Sequence, residues 1–299
     1  MSPFQISIMT DNEIGVSTPP SIPVWSMKAN MNVARASLAG AGVSNSALSF
    51  GGTDTVSIFN TTELFNGISW ATKTPMNANL YVLAGAGVSN SALTFGGNWD
   101  TTIKPTTTEL FDGTSWIDQP DILTTRIYVA GTGVSNSALN FGGYNTDWTP
   151  SNVTELFDGT SWTSKSPMSV IRFGLAGAGV SNSALAFAGT DNVTFITLTE
   201  LFDGTSWTSK ANINVGRGAL GGCGSSSSAL SFGGTDNTII LNVTELYDGT
   251  SWSIQNNKIV GVADVAGAGV SNSALAFGGA SMDETGMSMV IYAITELFS

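Results

Sequence analysis

Six glutamates, four arginines and a single cysteine are the side chains here with the most obvious chemical potential, and their spacing limits what they can do. Glu63, Glu109, Glu155, Glu200, Glu245 and Glu296 each follow a threonine and precede a leucine. Carboxylates paired within a few ångströms could run acid–base chemistry on a glycoside. These six instead recur once per repeat of the sequence, and equivalent positions in a ring of repeats lie much further apart than that. Their expected role is structural, as hydrogen-bond acceptors from a neighbouring repeat. The 299 residues include no histidine, which removes Ser-His-Asp and Cys-His nucleophilic catalysis and the commonest transition-metal ligand. Cys223 is the sole cysteine, so no intramolecular disulfide can form. It stands in the column otherwise held by Ala41, Ala86, Thr132, Ala178 and Ala268 and reads as a small core residue. Asp54, Asp191 and Asp236 lie one per repeat in Gly-Thr-Asp loops, whereas calcium needs six to eight oxygens at one point. Asp112, Asp158, Asp203 and Asp248, with Asn66 in the fifth position, read as turn residues. No catalytic residue, metal or cofactor is expected.

The elements that carry these residues follow from the repeat. Ala-Leu-x-Phe-Gly-Gly, a variable stretch and Thr-Glu-Leu-Phe recur from Ala47 through Ala92, Ala138, Ala184, Ala229 and Ala274 with small variations. A fixed period of this length marks a repeat architecture. In the unit from Leu175 to Lys210, Leu175-Ala-Gly-Ala-Gly-Val180 is a segment of very small residues and Ser181-Asn182 a tight turn. Ser183 to Phe187 alternates small and large, as a half-buried strand does. Ile196 to Phe202 alternates again, Asp203-Gly204 is a hairpin signal, and Ser206-Trp207-Thr208 opens a fourth strand. Nothing has helical period.

Four antiparallel strands in each of six repeats, with small first strands that suit a crowded axis, predict an all-β, six-bladed β-propeller over residues 24–299. The last repeat stops at Ser299 without its tryptophan, while Val24-Trp25-Ser26 echoes the missing segment. The N-terminal strand around Trp25 is therefore expected to complete the sixth blade and close the ring, removing two exposed sheet edges.

Bulk properties narrow the partners. A net charge of −12 argues against nucleic acid, whose phosphates need a basic face. No signal peptide is visible, and no run approaches the length of a membrane span.

The residues that recur also resemble a known family. A Gly-Gly after the second strand, an aromatic before a turn, a tryptophan soon after and a Pro-Met further on are similar to the kelch motif. Pro75-Met76 and Pro167-Met168 supply the last element, and Arg35, Arg126, Arg172 and Arg217 match its trailing arginine. Leu80 and Val262 depart from it in the other two repeats. The run Ala-Leu-Ala-Phe-Gly-Gly…Asp-Gly-Thr-Ser-Trp-Thr resembles kelch-like proteins of marine bacteriophages and environmental bacteria. The resemblance implies a kelch-like propeller and a virion or extracellular-appendage setting. Kelch-type copper oxidases need histidine ligands, which this chain lacks. Asp112-Gly113-Thr114-Ser115-Trp116 is one residue short of the sialidase aspartate box, and the four arginines are spread round the ring rather than gathered over one carboxylate.

Strand alternation puts the Ser-Asn and Asp-Gly turns on one face and the variable loops on the other, and binding residues sit preferentially on such loops. The loops at 97–106 and 143–152, in the second and third blades, carry Trp99, Asp100, Tyr144, Asn145, Asp147 and Trp148. Aromatic faces beside carboxylates and amides suit a sugar-binding surface; the plainer alternative is that the same rings merely pack the loops down. Met282, Met287 and Met289 in the sixth variable loop form a docking candidate, since methionine adapts to irregular surfaces. Residues 1–23 form an arm in which Phe4, Ile6 and Ile8 alternate like a strand, either docking by strand addition or frayed.

Two functions follow as expectations, and neither is enzymatic. One is a structural or assembly protein of a phage particle or appendage, contacting other protein subunits and open to homo-oligomerisation. The other is an adhesin head that binds a cell-surface glycan through the second and third variable loops. Membrane insertion is not expected.

Overall fold

Tiny residues fill one strand of every repeat because six such strands converge on one axis. Ala39–Val43, Ala84–Val88, Ala130–Val134, Ala176–Val180, Gly221–Ser225 and Ala266–Val270 together line a central channel. A computed structural model describes residues 22–97, 106–283, 286 and 288–299 of the chain. Each inner strand is the edge of a four-stranded antiparallel sheet, giving an all-β, six-bladed propeller with no helix among the described residues. In the fourth blade the order outward is Ala176–Val180, Ser183–Phe187, Thr199–Phe202 and Trp207–Lys210. The third strand is shorter than the alternation from Ile196 suggests. Ile196 N–H donates to the Gly189 carbonyl at 2.8 Å, which closes the variable loop, and the ladder begins only where Thr199 pairs with Phe187.

Blades interlock through two repeated contacts. The phenylalanine ending each second strand lays its ring tip on a glycine of the next inner strand. A β-carbon at Gly40, Gly85, Gly131, Gly177, Gly222 or Gly267 would sit 2.5–2.8 Å from that ring, so only glycine permits the approach. The tryptophan that opens each fourth strand in turn donates its indole N–H to the threonine before the glutamate of the preceding blade, as Trp116 does to Thr62 at 3.0 Å and Trp252 to Thr199 at 3.0 Å.

Closure obeys the same rule. Trp25–Met27 pairs antiparallel with Thr295–Phe298 and becomes the fourth strand of the sixth sheet. Trp25 donates to Thr244 and Trp70 to Thr295, each at 2.9 Å. The N-terminal strand thus completes the sixth blade.

The glutamates and arginines are buried mortar. Glu63 accepts from the backbone N–H groups of Asn32 and Val33, which lie on the connection arriving from the sixth blade. Glu109, Glu155, Glu200, Glu245 and Glu296 tie down their own incoming connections in the same manner. Arg35, Arg126, Arg172 and Arg217 pair with the glutamate of their own blade at 2.6–3.3 Å, and every side chain in these pairs is essentially inaccessible. Burial pulls Arg172 down to about 10, partly offset by the Glu200 charge, so it remains a cation at neutral pH. The sixth blade solves the problem differently. Val262 holds the arginine position, and Lys258, four residues earlier in the column of Met31, Met76 and Met168, reaches Glu296 at 2.7 Å.

The third blade carries a misfit. Arg35 and Arg217 donate to Ser49 and Ser231, but the equivalent residue is Asn140, whose fully buried amide has no hydrogen-bond partner, and Arg126 Nη2 keeps only its 3.3 Å ion pair with Glu155. An unsatisfied buried polar group costs about 1–3 kcal/mol. Asn140→Ser is therefore expected to stabilise the fold by about 1 kcal/mol, read as a higher midpoint in urea at unchanged slope. A lower midpoint would show that the amide is satisfied after all.

Candidate functional site

The two faces of the ring differ in kind. On one, the third-to-fourth turns pack on the first-to-second turns, as Gly113 does against Asn90. Around the axis there, serine hydroxyls bond blade to blade at 2.7 Å in six successive pairs, from Ser44–Ser273 through Ser228–Ser271. The turn aspartates serve their own turns. Asp158 and Asp248 are drawn down to about 2 by the hydroxyls of Thr160 and Thr250 and by the following backbone N–H groups. This face repeats itself and offers no distinct site.

The opposite face carries the variable loops. Three of them, in blades 1, 4 and 5, are tight knuckles in which Asp54, Asp191 and Asp236 accept from two backbone N–H groups each. Their carboxylates are occupied in shaping the loop; these backbone hydrogen bonds hold Asp54 and Asp191 below the usual carboxylate range, and the Thr238 hydroxyl followed by the backbone bonds does the same for Asp236. Among the described residues no three cysteine, aspartate or glutamate side chains converge to hold a metal ion.

The third blade's loop is built differently. Tyr144–Asn145 forms a short ladder with Arg126–Ile127, which fixes the loop's base. At the tip, Asn145 N–H donates to the Thr149 carbonyl at 2.9 Å, its amide to Thr149 Oγ1 at 3.0 Å, and Thr149 Oγ1 to Asp147 at 2.5 Å. Trp148 is held there at φ +65°, a left-handed conformation that bulky residues rarely adopt. The residue is 56% exposed. Beneath it an edge-to-face series runs inward: Trp148 to Tyr144 at 5.9 Å, Tyr144 to Phe173 at 4.6 Å, and Phe173 to Tyr128 at 5.9 Å. Asn192 of the fourth blade donates to the Tyr144 hydroxyl at 2.8 Å. Tyr144 therefore anchors the loop while Trp148 presents a face to solvent.

Tyr128 ends this series at the mouth of the central channel. Ser37, Val82, Tyr128, Gly174, Ala219 and Asp264 form a closed ring there in which each backbone N–H donates to the carbonyl of the residue before it in the ring, at 2.8–3.1 Å. All six have φ between +52° and +59°.

The remaining candidates separate. Met282 and Met289 face each other across the hairpin of the sixth loop and are both exposed. Met287, Trp99 and Asp100 lie outside the described residues, as do Phe4, Ile6 and Ile8. Cys223 lines the channel, and burial pushes its thiol up to about 12, so it is no nucleophile at neutral pH. Phe173, Asn192 and Tyr128 join the surface although loop composition does not flag them. Phe173 and Tyr128 lie on the connections between blades, and only the ring geometry brings them beside Tyr144. No family model matches the sequence, and no curated protein matches it either.

Proposed function

We propose that this chain is a non-enzymatic, kelch-like interaction propeller of a virion or extracellular appendage, and that its variable face engages a surface carbohydrate. The observation that carries the reading is the rigid Trp148–Tyr144–Phe173–Tyr128 series, edged by Asn145, Asp147 and Asn192. An exposed indole over an ordered base supplies the apolar face on which a sugar ring stacks, and the adjoining amides and carboxylate suit its hydroxyls. Preorganisation lowers the entropy lost on binding, and the hydrogen-bonded loop gives Trp148 that property. The structural part of the role is supported by the paired Gly-Gly, Asp-Gly and tryptophan positions of a kelch-like chain and by the exposed Met282–Met289 hairpin, which suits contact with other subunits. The absence of histidine and the commitment of every described arginine to a glutamate fit binding rather than turnover.

Trp148→Ala is the direct test. On a glycan array or intact host cells, the variant is expected to lose at least about tenfold in binding, the scale of a central aromatic hot spot. Its unfolding midpoint should stay close to that of the parent, because the residue is mostly in solvent. Equal binding by parent and variant, or no carbohydrate binding by the parent, would reject the carbohydrate reading.

A further inference from the structure

The ring at the channel mouth repeats one backbone six times and six different side chains once each. The next column is uniformly aliphatic, with Leu38, Leu83, Val129, Leu175, Leu220 and Val265. The hydrogen-bonded ring explains the shared left-handed backbone. It does not explain why Asp264, Ser37 and Tyr128 were placed on it. Together the two columns line an open cavity of about 110 Å³. Asp264 and Ser37 belong to adjoining blades, and Tyr128 stands three blades away, across the axis.

A carboxylate in such a place is costly unless something pairs with it. Asp264 is half-buried there, desolvation pushes its carboxyl up to about 6, and the Asp264 charge adds to the burial that raises Tyr128. Every described arginine, and Lys258, is already committed to a glutamate. The mouth therefore combines one underpaired anion, one aromatic ring and aliphatic walls. That set is wrong for a hard metal cation, which needs many oxygens. It is right for a cation that carries carbon: the charge meets the carboxylate and the ring face, and the carbon meets leucine and valine.

We propose that the channel mouth binds a small organic ammonium group, with Asp264 as counter-ion and Tyr128 as its aromatic wall. The group could belong to a free alkylamine or to an amino sugar, and the site stands apart from the Trp148 loop reading. The test is a calorimetric or NMR titration of the full-length protein with ethylammonium chloride at constant ionic strength, with ethanol as the uncharged control. Saturable binding of ethylammonium, absent for ethanol, is expected. Asp264→Asn should weaken it at least about tenfold and Tyr128→Leu about threefold, in the range of a desolvated charge pair and a cation–π contact. A parallel titration with glucosamine against glucose identifies the source, since an amino-sugar site would hold glucosamine more tightly than ethylammonium. Asp264→Asn should remain folded and, above pH 6, melt higher than the parent, because it removes a charge that burial disfavours. No saturable ethylammonium binding by the parent, or equal binding by folded Asp264→Asn, would overturn the proposal.

Discussion

Arg172→Met is expected to lower unfolding stability by about 3–5 kcal/mol, the range found when one partner of a buried pair is removed. The cost comes less from the lost attraction than from the orphaned carboxylate. Glu200 would keep its hydrogen bond from Ser169 N–H but lose the guanidinium at 2.8 Å, at a site closed to solvent. The second blade shows what that environment does. Leu80 stands where four of the other blades have arginine, no described cation pairs with Glu109, and burial raises its carboxyl above the ordinary range, with nearby Asp118 adding to the shift. A carboxyl whose folded pKa exceeds its unfolded value destabilises the fold when ionised, so stability is regained as pH falls through that window. The Arg172→Met deficit should therefore be largest at pH 8 and shrink towards pH 5. Adding Glu200→Leu should recover most of it, since well-packed apolar replacements of buried pairs are often neutral. Chemical denaturation of the three proteins at both pH values measures this. A deficit under 1 kcal/mol at pH 8 would mean that the glutamate finds water, and the buried-mortar account would fail.

How much of this was legible in the sequence depends on whether a residue acts within its own repeat. Ser-Asn and Asp-Gly turns, the strand that ends in phenylalanine, and the echo of Trp207 in Trp25 are local or periodic signals, and the blades and ring closure follow from them. The Glu63 class was readable as structural because six copies cannot all be catalytic. Its partner in the sixth blade was hidden, because Lys258 compensates for Val262 from four residues away. The aromatic series was half visible. Tyr144 and Trp148 share a loop, but Phe173 and Tyr128 meet them only when neighbouring blades are set side by side. Asp264 looked like any other acid. Its position matters because six identical backbones turn their side chains into one mouth, and an acid in the column directly before a uniformly aliphatic one is a signal that alignment of the repeats alone could have raised.

Deleting the chain through residue 28 should abolish cooperative unfolding, whereas deletion through residue 21 should leave it intact. The longer deletion removes Trp25, whose ring packs at 5.3 Å on both Phe232 and Phe298 and whose indole satisfies buried Thr244. Truncating a buried tryptophan alone costs about 3–5 kcal/mol. The ladder from Trp25↔Phe298 to Met27↔Glu296 goes with it, and Thr295–Phe298 becomes an unpaired sheet edge of the kind that recruits other chains. The damage does not stay in one blade. Trp70 of the first blade bonds Thr295, so an unsettled sixth blade loosens the ring on both sides, and a ring held by neighbour contacts then unfolds from its open seam. The expected readout is a broad, low transition or insoluble protein for the longer deletion and a sharp, parent-like melt for the shorter one. The shorter deletion also isolates the arm: if light scattering finds it smaller than the parent while its melt is unchanged, residues 1–21 are an assembly device. A sharp, parent-like melt for the longer deletion would show that five complete blades and a three-stranded sixth hold the ring by themselves, and the closure argument would fall.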